Sequence, residues 1–279
     1  MIYRFLFLSI FLILFLIVIC WFVGSTSESY DVFNRTLETK KYYKEIQTAT
    51  HYVCWTGGYD STFRVCQLIR AKKRVQPIYL SMDDVDDHKN KLFRVQRRNR
   101  ENELRAIIKI RHLLEELFPQ ATYLLLPTLY INQLGEPNLE IQKCAEYLYS
   151  KLGWFTRKVN QYERILQVAF KLPEPLEICV ENADDGLSRS IKKFVVGVER
   201  NCRLTHKLPN KYKCACIFGM VRFPILHLTK EEMFEIAIEE GYEKVLDQSW
   251  SCWTPLTVNG KSVPCGRCDM CRHRIKIEK

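Results

Sequence analysis

Residues 5–23 (FLFLSIFLILFLIVICWFV) are uncharged and almost wholly apolar. As a helix at about 1.5 Å per residue they would span roughly 28 Å, close to the ~30 Å hydrocarbon core of a bilayer. The run is longer than the roughly 7–15-residue apolar core of a signal peptide. Residues 1–24 therefore read first as a membrane anchor. A leader cleaved near Val23-Gly24-Ser25 and a mis-assigned start that leaves a soluble body stay open. A polar, tyrosine-rich connector, 25–48, follows. The pattern then breaks into short apolar runs separated by amphipathic stretches. Runs at 51–55 (HYVCW), 75–80 (VQPIYL), 122–126 (TYLLL) and 176–180 (LEICV) predict four buried strands. A helical pattern follows the first run. Residues 92–118 predict a long amphipathic helix with Leu104, Ile107, Ile108, Leu113, Leu114 and Leu117 on one stripe. Two more helices are expected over 139–152 and 155–171. Thr229-Lys230-Glu231-Glu232 has the form of a capping box opening a helix that Gly241 ends.

Strands alternating with helices predict an α/β fold built of right-handed βαβ units around a parallel sheet. Composition agrees: 47% hydrophobic and 27% charged residues are ordinary globular values that argue against disorder. Twelve cysteines in 279 residues are too few for a disulfide scaffold. The net charge of +10 falls only to +9 when residues 1–24 are set aside, since they carry Arg4 alone. That surplus suits nucleic acid, an anionic membrane surface or phosphorylated substrates, and a lysine-rich solvated surface explains it equally well. Arg35, Lys40 and Lys41 after the apolar run outnumber Arg4 before it, a count that favours the body on the cytosolic side. The sequon Asn34-Arg35-Thr36 would matter only on the other side.

Two motifs carry candidate chemistry. Thr56-Gly57-Gly58-Tyr59-Asp60-Ser61-Thr62 lies between a predicted strand and a predicted helix. Paired glycines let the backbone turn sharply and approach an anion closely, and amides at the helix start then point at it. Thr56, Ser61 and Thr62 offer hydroxyls, and Asp60 could hold the loop or a magnesium-bound water. A glycine turn before a capped helix is the plainer alternative. The second motif, Cys252, Cys265, Cys268 and Cys271, has two overlapping Cys-x-x-Cys steps and a fourth thiol thirteen residues upstream. Four thiolates describe a closed structural zinc site. An iron–sulfur cluster, disulfides and free thiols are the alternatives. Cys54, Cys66, Cys144, Cys179 and Cys202 read as small buried side chains, and Cys214 and Cys216 as a core pair.

The loop resembles the Ser-Gly-Gly-x-Asp-Ser signature of the PP-loop ATP pyrophosphatases, with Thr56 for the first serine. Together with Pro224-Ile225-Leu226-His227-Leu228-Thr229-Lys230-Glu231-Glu232, Trp250-Ser251-Cys252-Trp253 and Pro264-Cys265-Gly266-Arg267-Cys268-Asp269-Met270-Cys271-Arg272, it is similar to the 7-cyano-7-deazaguanine synthase family. The resemblance implies a Rossmann-like PP-loop (adenine nucleotide alpha hydrolase-like) domain over 49–248 and a zinc-binding tail over 249–279. It implies ATP with Mg2+ as cosubstrate, held by Thr56, Gly57, Gly58, Asp60, Ser61 and Thr62. Asp60, Ser61 and Lys230 would be catalytic, and Cys252, Cys265, Cys268 and Cys271 would hold zinc. The implied reaction converts 7-carboxy-7-deazaguanine and ammonia to the nitrile. For Lys230, a solvent-exposed place at the helix start is the alternative. Arg157-Lys158-Val159-Asn160 and Glu181-Asn182-Ala183-Asp184-Asp185 echo the family's middle segments only loosely, and Asp83 and Asp84 follow the second predicted strand. A tRNA-modifying pyrophosphatase, such as a thiolase using Cys214 and Cys216, stays open, with Arg94 to Arg111 on RNA phosphates. So does a non-catalytic, membrane-tethered nucleotide- and zinc-binding protein. Nucleic acid is the less favoured partner, and a homodimer is open.

Overall fold

The structure is a computed structural model. It describes residues 51–81, 99–131, 138–139, 141–143, 161–183, 192, 195–196, 203–204, 220–268, 270–272 and 274. The chain divides into a unit Met1–Leu37 and a unit Glu38–Lys279, and all the described residues fall in the second. The expected anchor and connector, Asp83, Asp84, segment 157–160, Asp184, Asp185, Cys214 and Cys216 lie outside the described residues. Among the described residues, no helix is long and apolar enough to cross a membrane.

Strand β1 (His51–Cys54) leads through the glycine loop into helix α1 (Tyr59–Arg70), and β2 (Val75–Leu80) pairs with β1 in parallel. All six positions of β2 are buried, as an apolar run covered on both faces requires. Helix α2 (Arg100–Leu117) buries Leu104, Ile107, Ile110 and Leu114, leaving Ile108 and Leu117 exposed. The third predicted strand is wrong. Residues Ala121–Leu124 form a short helix, α3, and Leu125 makes only a single bridge to Val75. Arg111 explains part of this, because its guanidinium takes the carbonyls of Leu125 and Leu126. Pro127 follows, and the strand that pairs with β2 is β3 (Leu129–Ile131).

Helix α4 (Gln161–Ala169) precedes β4 (Leu176–Glu177), which crosses to the other side of β1. Three strands of two residues each, β5 (Val195–Val196), β6 (Arg203–Leu204) and β7 (Val221–Arg222), complete the sheet. Its order is β3-β2-β1-β4-β7-β6-β5: five parallel strands, β3 to β7, extended by two antiparallel ones at the β7 edge. Helix α5 (Lys230–Glu240) opens on the predicted box: Thr229 Oγ1 accepts from Glu232 N at 3.2 Å, and Thr229 N donates to Glu232 Oε2 at 2.7 Å. Gly241 closes it at φ 75°, and the short helix α6 (Glu243–Asp247) follows. The tail holds an unforeseen hairpin, β8 (Leu256–Val258) with β9 (Lys261–Val263), turning at Asn259 and Gly260 with positive φ at both.

Trp55, Tyr52, Phe63, Ile69 and Tyr242 are fully buried between sheet and helices, with the Phe63 and Tyr242 rings edge to face at 5.9 Å. One buried charge fixes α1 to the sheet. Glu177 on β4 accepts from Arg64 Nε at 2.7 Å and Nη2 at 3.2 Å, and meets His51 Nδ1 at 2.7 Å. Burial alone would raise this carboxyl, but the hydrogen bonds from His51 and Arg64 and the Arg64 charge outweigh it and hold it below the usual range.

Candidate active site and cysteine cluster

Because the chain runs β1, β2, β3 in one direction and then returns to β4 on the far side of β1, the sheet has a switch point between β1 and β4. In open α/β sheets, ligands bind beyond the carboxyl ends of the strands at that point. The glycine loop leaves β1 there. Gly57 has φ 69°, which a side chain adopts only with strain, and a Cβ on it would sit 2.9 Å from the carbonyl oxygen of Glu103. Gly58 is the N-cap of α1 and provides no side-chain cap, so the first-turn amides of the helix face the cavity uncapped. Thr56, Gly58, Tyr59, Asp60 and Ser61 line that cavity, over a floor that includes Cys54 and Cys179. Those two cysteines are half-buried there, whereas Cys66 is fully buried. Burial pushes the Cys179 thiol well above its ordinary range.

Thr62 is not brought into the cavity. It is fully buried, and its hydroxyl accepts the Trp55 indole N–H at 3.1 Å, a packing role. Lys230 moves the opposite way. Although it is the first residue of α5, it is only 8% exposed, and its Nζ lies 2.6 Å from Asp60 Oδ1 and 2.9 Å from Glu181 Oε1. The solvent-exposed alternative is thereby overturned. Burial would lower the lysine, but Asp60 and Glu181 together raise it above its ordinary value, so it is charged at neutral pH. Glu181 is the residue that sequence reasoning passed over, since it stood only as one acid in a loosely matching stretch.

The tail closes the cavity. Trp250 N donates to Gly57 O at 2.8 Å, and Trp250, Ser251, Trp253, Met270 and Arg274 all line it. Arg274 is fixed by donating to Ser249 O at 2.6 Å and Asp247 O at 2.9 Å, the carbonyls at the end of α6. In the same tail the sulfurs of Cys252, Cys265, Cys268 and Cys271 all lie within 4.8 Å of one another. Four thiolates at about 2.3 Å from one ion would stand roughly 3.8 Å apart, and Cys265 Sγ and Cys271 Sγ are separated by 3.9 Å. The amides of Cys265 and Cys268 donate to Cys252 Sγ and Cys265 Sγ, each at 3.3 Å, and Gly266 at φ 69° makes the turn between them. Hydrogen bonds from Thr254 and from the amides of Arg267 and Cys268 bring the Cys265 thiol down to about 5. Burial pushes Cys271 up to about 12. The four side chains could hold one metal ion. So tight a set leaves no room for the interposed iron and sulfide of a cluster.

A parallel α/β sheet with a glycine loop at its switch point and a cysteine cluster in the tail defines the class. Comparison with known proteins narrows it. The profile described as "QueC: Queuosine biosynthesis protein QueC" matches residues 207–277, a stretch that includes Lys230 and all four clustered cysteines. The 7-cyano-7-deazaguanine synthase of Leptospira biflexa is 27% identical over 241 residues, covering 80% of this chain and 88% of that protein. The 7-cyano-7-deazaguanine synthase of Prochlorococcus marinus (strain AS9601) is 43% identical over 51 residues, 18% of this chain and 20% of that protein. The chain is thus similar to the 7-cyano-7-deazaguanine synthases, as the loop and tail motifs imply.

Proposed function

We propose that the protein is an ATP-dependent ligase that converts 7-carboxy-7-deazaguanine and ammonia to 7-cyano-7-deazaguanine, a reaction of queuosine biosynthesis. The observation that carries the reading is the convergence on one cavity of the glycine loop, the Lys230–Asp60–Glu181 group and the cysteine tail. A carboxylate resists attack by ammonia, so ATP first converts it to an acyl phosphate or adenylate. Ammonia then gives the amide, and a second activation with elimination gives the nitrile. The uncapped amides at the start of α1 stabilise phosphate charge as the leaving group departs, with Ser61 donating from its hydroxyl. Lys230 is already charged and oriented by two carboxylates, so it meets that developing charge with little reorganisation. Magnesium accompanying ATP would offset phosphate charge, with Asp60 holding one of its waters.

Cys252, Cys265, Cys268 and Cys271 hold zinc as a structural ion; four thiolates leave no open position for chemistry. Its contribution is to fix the tail that carries Trp250, Trp253 and Arg274 to the cavity. The apolar residues 5–23 support a single-pass anchor with the body in the cytosol, where thiolates stay reduced. Membrane fractionation of the full chain beside residues 25–279 tests this: if both are soluble, the anchor is wrong. For the reaction, residues 25–279 are incubated with ATP, Mg2+, ammonia and 7-carboxy-7-deazaguanine. The nitrile should form, and form only with ATP; bound ATP without product would sink the assignment.

A further inference from the structure

Asn99, immediately before α2, lines the same cavity, yet only 1% of its surface is exposed. Its side chain is held by Glu103: Asn99 Nδ2 donates to Glu103 Oε1 at 2.8 Å, while the Tyr79 hydroxyl donates to Oε2 at 2.8 Å. Turning the amide over would break the Nδ2 bond and set the amide oxygen against the Glu103 carboxyl oxygen. The main-chain carbonyl of Asn99 is also occupied, accepting from Glu103 N at 2.9 Å. One side-chain atom is left over. Asn99 Oδ1 is buried and has no hydrogen-bond partner among the described residues.

Buried acceptors are rarely left unmet, and an unmet one on a residue that lines a ligand cavity is suited to a donor on the ligand. Leu80, Ile165, Ile178 and Val180 are also in the lining of that cavity, and apolar side chains of this kind fit the faces of a flat heterocycle. We propose that Asn99 Oδ1 accepts a hydrogen bond from an exocyclic amino group of a purine-type ring and so sets which base the cavity takes. The inference rests on the proposed function, which brings two such rings to the site: the adenine of ATP and the deazaguanine itself. Glu103 and Tyr79 are then positioning residues, since they act only by orienting the amide.

The test pairs each ligand with its analogue lacking the amino group. ATP is compared with purine riboside triphosphate, and 7-carboxy-7-deazaguanine with 7-carboxy-7-deazahypoxanthine. Dissociation constants are read from tryptophan fluorescence on the wild type, Asn99→Ala and Asn99→Ser; serine keeps a donor for Glu103 if alanine does not fold. On the wild type, loss of the amino group should weaken one ligand about tenfold. In the variants that preference should shrink to within about twofold for the same ligand, and which ligand it is identifies the ring. A wild type that discriminates neither amino group, or a discrimination that survives undiminished in a folded variant, overturns the proposal. Binding does not require turnover. A protein that makes no nitrile yet shows Asn99-dependent discrimination would refute the proposed reaction and leave this inference standing.

Discussion

Replacing Gly57 by Ala should damage both stability and ATP use, by an amount that can be worked from the geometry. The residue has φ 69°, where an L side chain costs about 1 kcal/mol. Its new Cβ would lie 2.9 Å from the Glu103 carbonyl oxygen and 3.1 Å from Ile107 Cγ1, some 0.5 Å and 0.3 Å inside the 3.4 Å at which ordinary contact begins. The first of these neighbours is helix backbone in α2, so the loop must move; overpacking of this kind costs about 2 kcal/mol. The stiffer unfolded chain returns about 0.5 kcal/mol. The net loss of about 2.5 kcal/mol corresponds to a fall in Tm of roughly 7 °C for a domain of this size. Gly57 O also accepts from Trp250 N, so the displacement reaches the tail and should raise the KM for ATP at least about tenfold. Gly260→Ala is the control. Its φ of 72° brings the same strain and the same unfolded-chain return, but nothing lies within 4 Å of its Cβ, so a net loss of about 0.5 kcal/mol and no change in KM are expected. Thermal melts and ATP saturation curves read both variants. Equal destabilisation with unchanged KM in both would refute the argument, because the close approach of the loop to α2 would then contribute nothing.

Lys230→Met removes the charge that lies between Asp60 and Glu181 and should reduce kcat about a hundredfold; full activity would remove Lys230 from the reaction. Cys268→Ser should release the bound metal and lower Tm, a chelator should do the same to the wild type, and the two effects should not add. Glu177 is held below its ordinary 4.5 in the folded state, so its contribution is complete above that value and is lost as pH falls through the folded one. Glu177→Gln should therefore cost about 3 kcal/mol at pH 7 and flatten the acid limb of a stability profile measured by denaturant titration. An unchanged acid limb would mean that the His51–Glu177–Arg64 contacts do not govern acid unfolding.

How far the structure was legible in the sequence depends on the length and burial of each element. Strands β1 and β2 and helix α5 carry their signals locally, as apolar runs or a capping box, and they stand where the pattern puts them. Residues 122–126 failed because an apolar run does not distinguish a strand from a short packed helix. Its last carbonyls are taken by Arg111, a side chain of another element. Strands β5, β6 and β7 have two residues each, too few to show any period. The tail hairpin had its Asn259-Gly260 turn in plain view, but β8 is exposed at all three positions, so no apolar alternation accompanied it. At the site, spacing alone was enough to group the four cysteines. The partners of Lys230 lie 170 and 49 residues away in sequence, and Thr62 is turned to Trp55 by core packing, so neither role had a local signature.

The central claim is that ATP activates the carboxylate twice on the way to the nitrile, and an isotope measurement tests it most directly. 7-Carboxy-7-deazaguanine carrying 18O in both carboxylate oxygens is turned over by residues 25–279 with ATP, Mg2+ and ammonia, and the products are weighed by mass spectrometry. Each nitrile formed should be matched by two ATP consumed, with one 18O on the AMP or phosphate released in each activation. Nitrile formed with the label in water, or labelled substrate recovered intact while ATP is hydrolysed, would contradict the account.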